Sequence, residues 1–163
     1  MRITKETDYA FRICGYLAQH EGEVVGAPKI AHDRVIPERF TLRILRKLNL
    51  AGITTAKRGV TGGYMLNRPK EDISLYDIVV AIDGPIIVNR CLHEDDPYCS
   101  CMGVNASDLN GCKFHVALEE VQNSVIKILK SKTLECFGEN KQWRDSYKRR
   151  VQREHSDGVR MQL

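Results

Sequence analysis

No apolar run in the chain approaches the roughly 20 residues needed to cross a bilayer as a helix, so a helical membrane span is excluded. The first residues, MRITKETDYAFRICGYL, are polar and then amphipathic, without the apolar core and small-residue cleavage site of a secretory signal. A phosphate-binding glycine loop is absent, and the spacing joins no nucleophile to a base, so nothing points to an enzyme. The expected compartment is the cytoplasm. There, clustered thiols are metal ligands or redox groups rather than structural disulfides. One segment lacks aliphatic residues almost entirely: RCLHEDDPYCSCMGVNASDLNGCKFH, residues 90–115. It nevertheless holds four of the six cysteines, separated by Gly, Asp, Asn, Ser and Pro. With so little apolar surface to bury, it needs a staple to hold a shape.

The chain of 163 residues suits one domain, or one small domain with an appended element. Its hydrophobic content of 42% and charged content of 28% are those of an ordinary globular protein. The net charge of +4 is unevenly spread. Residues 1–70 hold 13 basic and 6 acidic residues, a net of +7, whereas residues 71–163 hold 12 and 15, a net of −3. A basic first half points to a polyanionic partner.

Residues 4–20 read as a first helix, with Thr4 as cap and Ala10, Ile13, Cys14 and Leu17 on one buried face. A turn around Gly22 and Gly26 follows, and Pro28 opens a short second helix, PKIAHDR. Pro37 opens a third, PERFTLRILRKLNLAG, with Phe40, Ile44, Leu45 and Leu48 as its buried stripe and Gly52 as its stop. Arg39, Arg43, Arg46 and Lys47 share another face. The period then changes. ITTAK and GYMLN are strand candidates around RGVTGG, whose glycines make a tight tip that can approach another molecule closely. This order of elements is that of a winged helix-turn-helix, whose third helix enters the major groove of DNA. SLYDIVVAIDG forms a further helix with the Ser74–Asp77 spacing of a capping box, stopped at Asp83-Gly84-Pro85. After Cys112 a long helix is predicted to about Lys132. Phe114, Leu118, Val121, Val125 and Ile128 form a coiled-coil-like seam on it, fit to pack against a second copy. From about Phe137 the chain is polar, and Lys148, Arg149, Arg150 and Arg153 form a basic cluster on an expected flexible tail.

In the cysteine segment, Cys91, Cys99, Cys101, Cys112 and His115 are soft or borderline ligands. Cys112 and His115 are three apart at a helix start and so share a face. Zinc on Cys99, Cys101, Cys112 and His115 fits. So does an iron–sulfur cluster on three cysteines with a fourth, weaker ligand. Reduced, unliganded thiols are the remaining alternative. Cys14 belongs to a core face and Cys136 to the end of the helical region.

MRITKETDYAFRI, VIPERFTLRILRKLNLAGI, KRGVTGGYML and SLYDIVVAIDGP occur together and in this order. Over about residues 1–135 the chain resembles the Rrf-type winged-helix regulators, the bacterial group containing IscR, NsrR, RirA and CymR. The resemblance implies a homodimeric transcription regulator, many relatives carrying an iron–sulfur cluster on three cysteines before the dimerisation helix. By that likeness Cys91 and Cys112 are the first and third ligands and Cys99 the second, with Cys101 as the alternative. The family pattern has shorter gaps and a single central cysteine. A histidine three residues after the last cysteine, as in the IscR branch, matches His115. An acidic residue of the first helix, as in the NsrR branch, matches Asp8, with Glu6 a weaker match.

The resulting expectations are as follows. The fold is mainly α with a small β-hairpin wing. Residues 1–85 form the DNA-binding domain, 86–112 the cluster loop, 113–135 the dimerisation helix and 136–163 the tail. The function is a repressor that binds a palindromic operator and senses redox state, nitric oxide or iron status through a 2Fe–2S or 4Fe–4S cluster. The alternatives are a zinc-stapled interaction module and a metal-free thiol switch. Arg39, Thr41 and Arg43 are expected in the groove. Arg58, Thr61, Gly62 and Gly63 are expected at the adjacent backbone or minor groove, and Arg46 and Lys57 at phosphates.

Overall fold

The first helix, α1, runs over Lys5–Gln19 and starts where the sequence says it should: the Thr4 hydroxyl accepts a hydrogen bond from the Thr7 N–H at 3.2 Å. The structure is a computed structural model that describes residues 3–93, 98–99, 104–105 and 112–137. Cys101 and the basic cluster of the tail lie outside those residues, and of Cys99 only the backbone is described. Ala10, Ile13, Cys14 and Leu17 are buried, as their spacing requires. Helix α2, Ala27–Arg34, carries Pro28 in its first turn. It ends at Val35 in the left-handed region (φ 54°, ψ 49°), an unusual place for a β-branched residue.

Helix α3 spans Glu38–Leu50. Gly52 (φ 69°) ends it as a Schellman motif: its N–H donates to Asn49 O at 3.0 Å, and the N–H of buried Ile53 donates to Leu48 O at 2.9 Å. The buried residues of α3 are Thr41, Ile44, Leu45 and Leu48. Phe40, expected in that stripe, is only half-buried and meets Tyr9 edge-on at 6.3 Å between ring centres.

Strands β1 (Thr54–Lys57) and β2 (Gly63–Leu66) pair antiparallel, with Thr54 opposite Leu66 and Lys57 opposite Gly63. Val25 adds one further pair, its N–H and C=O each bonded to Tyr64 at 2.9 Å, which fastens the hairpin to the α1–α2 connection. Helix α4 (Leu75–Asp83) begins with the full capping box. The Ser74 N–H donates to the Asp77 carboxylate at 2.8 Å, and the Asp77 N–H donates to Ser74 Oγ at 3.2 Å. Gly84 (φ 83°) ends it.

The cysteine segment contains a short 3-10 turn, Arg90–Leu92, and a two-residue ladder, β3 (Tyr98–Cys99) with β4 (Val104–Asn105). Helix α5 runs over Lys113–Lys130, ending two residues before the predicted limit. It packs against α4 and the Arg90–Leu92 turn, yet no residue of it is fully buried. The chain then returns. Leu75 N–H donates to Lys132 O and Leu134 N–H to Ile73 O, both at 2.8 Å. Leu134 enters the same core as Ile13, Leu17, Leu48 and Ile78 at 1% exposure. The core of the winged-helix part thus includes a residue from beyond α5, outside the 1–85 span expected for it.

Candidate functional site

On α3, the residues that do not enter the core form a separate, outward face. Arg39, Leu42, Arg43 and Arg46 are exposed at spacings of three, four and seven from Arg39, which sets them on one outward face. Arg39 and Arg43 flank the Phe40 ring, their guanidinium carbons 5.0 and 4.9 Å from its centre. Glu6 of α1 accepts from Arg43 Nε and from Lys47 Nζ, both at 3.2 Å. Lys47 also donates to Ile82 O at 3.1 Å. Lys47 is therefore tied to the body of the domain, and Arg43 is oriented by a carboxylate of a different helix. Arg39 and Arg46 point away from the core.

Thr41, expected to contact a base, cannot do so in this fold. It is 0% exposed and its hydroxyl donates back to Pro37 O at 3.4 Å. At the wing, Lys57, Arg58 and Thr61 are exposed around the turn, and Val60 projects fully from its tip. Gly62 and Gly63 are small for a reason internal to the chain. A Cβ at Gly63 would lie 2.5 Å from Val25 O, and one at Gly62 would lie 2.5 Å from Lys57 O. Gly59 takes a φ of +120°.

Around the cysteine segment, Cys112 is the N-cap residue of α5 and is buried at 2% exposure. His115 follows in the first turn, and its Nδ1 is buried without a hydrogen-bond partner among the described residues. A polar nitrogen in that condition costs free energy unless something binds it. Cys91 sits half-buried on the turn that packs against α5, and the Asn89 side-chain amide donates to its Sγ at 3.4 Å. The donors are therefore of the kinds a thiolate-held metal group requires. Among the described residues, no three ligand-type side chains stand close enough together to hold a metal ion. Asp8, the alternative fourth ligand, pairs with Arg12 at 2.6 Å, and Glu6 is committed to Arg43 and Lys47. Cys14 stands apart from the others: burial pushes its thiol up to about 12, leaving it without reactive thiolate.

Two contacts that the sequence did not disclose join these parts. The Asp83 carboxylate, at the end of α4, accepts from the Thr4 hydroxyl at 2.9 Å and from the Thr7 hydroxyl at 2.5 Å, both at the start of α1. Glu6, between them in the same first turn, holds α3. Their partners lie 37 to 79 residues away in sequence, so no local pattern could have announced them.

The sequence profile of the Rrf2 family, described as an iron-dependent transcriptional regulator, matches residues 3–140, and the chain belongs to that family. An rrf2-like HTH-type transcriptional regulator of Rhodobacter capsulatus is 31% identical over 137 residues, covering 82% of this chain and 89% of its own length. The protein aau3 of Rhizobium meliloti is 29% identical over 135 residues, covering 83% of each chain. Among solved structures, CymR, the global cysteine regulator of B. subtilis, superposes with a TM-score of 0.63 at 24% identity, covering 83% of this chain and 94% of its own. IscR of T. potens does so with a TM-score of 0.60 at 24% identity, covering 83% and 84%. These two likenesses establish the fold, and the family is one of DNA-binding transcription regulators rather than enzymes.

Proposed function

We infer that the chain acts in the cytoplasm as a homodimeric repressor whose hold on a palindromic operator answers to redox state, nitric oxide or iron status. The exposed guanidinium face of α3 carries the DNA half of this reading. Two copies would set their α3 helices in successive major grooves about 34 Å apart, with Lys57, Arg58 and Thr61 at the flanking backbone. Support for the dimer comes from α5. Phe114, Val121 and Ile128 recur every seven residues at 74%, 50% and 60% exposure along a helix about 27 Å long. Val121→Glu should give a monomer by sedimentation with its helix content unchanged. A dimer that survives the change would remove α5 from the interface.

The buried Nδ1 of His115, without a hydrogen-bond partner among the described residues and three positions after buried Cys112, carries the sensing half. Cys91, Cys99, Cys112 and His115 would hold an iron–sulfur cluster, and Cys101 and Asp8 remain the alternatives for the second and fourth positions. Such a group supplies iron that is open to nitric oxide, oxygen or peroxide and to loss under iron shortage. The chain's own residues supply a route to the reading surface. Cys112 caps α5, α5 lies on α4, Asp83 of α4 fastens the start of α1, and Glu6 of α1 orients Arg43. Physical continuity is an argument for coupling, and a measured coupling energy is its proof. A second reading, a thiol switch without metal, is supported by the free thiols of Cys91 and Cys112.

The deciding experiment is anaerobic purification followed by iron, sulfide and zinc assays, with operator affinity of wild type and Cys112→Ala at fixed salt. Near-equal iron and sulfide, lost in Cys112→Ala together with a changed affinity, supports the cluster switch. A lost cluster with unchanged affinity refutes it. Stoichiometric zinc moves the site to a structural role, and a metal-free protein moves the reading to the thiols.

A further inference from the structure

Leu42 is the one aliphatic side chain near the N-terminal end of the outward face of α3, at 44% exposure. A lone exposed leucine on a soluble protein needs no explanation. This one has a particular setting. Arg39, Arg43 and Arg46 stand three residues before it, one after it and four after it, so it occupies the middle of a surface otherwise made of guanidinium groups. Leu50, the other exposed leucine of the helix, is at its far end, about 12 Å along the axis. The N-terminal part of a recognition helix is the part that meets base edges.

The neutral polar side chains of α3 are otherwise engaged. Thr41 is buried and bonded to Pro37 O, and the Asn49 amide donates to Thr54 O at 3.1 Å, tying the helix to β1. The face therefore offers no amide for the paired donor and acceptor of adenine. It offers guanidinium groups, which suit guanine O6 and N7, and one exposed aliphatic group, which suits only the 5-methyl of thymine, while the half-buried Phe40 ring is covered by Arg39 and Arg43.

We propose that Leu42 is a specificity-determining residue that reads the 5-methyl group of a thymine flanked by guanines in the major groove. The inference rests on the DNA-reading function above and adds to it a base and the atom that is read. Removing one buried methyl contact is worth about a fourfold change in affinity.

The test uses the full-length protein, prepared anaerobically, to select its preferred duplex from a random pool. Each thymine of that duplex is then replaced in turn by deoxyuridine, which deletes the methyl and nothing else. Wild-type protein should lose about fourfold in affinity at one thymine position per bound α3. Leu42→Ala, at an exposed site that favours helix, should show no penalty for the same replacement. Deoxyuridine tolerated at every position by the wild type, or a penalty retained by Leu42→Ala, overturns the assignment to Leu42 while leaving sequence-specific binding intact. Failure of any duplex to enrich instead refutes DNA reading itself, and the assignment falls with it.

Discussion

Truncating Leu134 to alanine tests the least expected part of the fold, the return of residues 131–137 to the winged-helix core. Leu134 is 1% exposed, packs with Leu17, Leu48 and Ile78, and its N–H is bonded to Ile73 O at 2.8 Å. A leucine so placed loses about 3 kcal/mol on truncation, the transfer of three carbons plus the cavity left behind. For a chain of 163 residues this corresponds to a fall in Tm of about 6–12 °C. The measurement is urea unfolding followed by circular dichroism on reduced, metal-free protein, so that no ligand adds its own linkage. Leu50→Ala is the control, because Leu50 is 79% exposed and its loss should cost less than about 0.5 kcal/mol. If Leu134→Ala costs under about 1 kcal/mol, the segment after α5 is not docked, and the account of a core closed from both ends is wrong.

Other outcomes follow from single features. Val35→Asn should raise stability by about 1 kcal/mol, because Val35 holds φ 54° at 84% exposure and asparagine tolerates that backbone; an unchanged urea midpoint would count against strain there. Gly63→Ala places a methyl 2.5 Å from Val25 O and should break the Val25–Tyr64 pair, costing about 2 kcal/mol; the Tyr64 amide should lose its protection from hydrogen exchange and DNA affinity should fall. The Asp33 carboxyl is held below the usual carboxylate range, first by the Tyr16 hydroxyl at 2.6 Å and then by His32. Its stabilising effect is complete above the ordinary carboxylate pKa and fades as pH falls through the lowered value. Tyr16→Phe should therefore be less stable than wild type at pH 7, with the gap narrowing below about pH 4. A gap independent of pH would mean that the pair does not titrate with folding.

Local signals were legible wherever a cap or a period decides an element. Thr4, Ser74 with Asp77, and Gly52 each mark a boundary through a backbone bond made within a few residues, so the starts of α1 and α4 and the end of α3 could be read directly. On α3 the spacing places Ile44, Leu45 and Leu48 in the core, and the one departure is Thr41, buried where Phe40 is expected. Phe40 is larger and more apolar than Thr41, but Thr41 satisfies its hydroxyl on Pro37 O and so can be buried without loss. The wing glycines suit a close approach by DNA, and Gly62 and Gly63 must also be small because the chain's own carbonyls face them, which no local pattern announces. Asp83, Glu6 and Leu134 act through partners far away in sequence, and such pairings leave no trace in periodicity. The exposed Leu42 was invisible for the opposite reason, since a leucine in a helix reads by default as core.

The docking of Leu134 also fixes an order of events during synthesis. Between Ile86 and Leu134 the ribosome adds the whole cysteine segment and α5, which takes about 2–10 s at 5–20 residues per second. Throughout that interval α3 and the wing have been made, but the core beneath them still lacks its last side chain and the bond from Leu134 to Ile73. A chain released before Leu134 holds its guanidinium face on a core that lacks this side chain and its bond to Ile73. Every chain whose core is closed in this way has already been given Cys91, Cys99, Cys101 and Cys112.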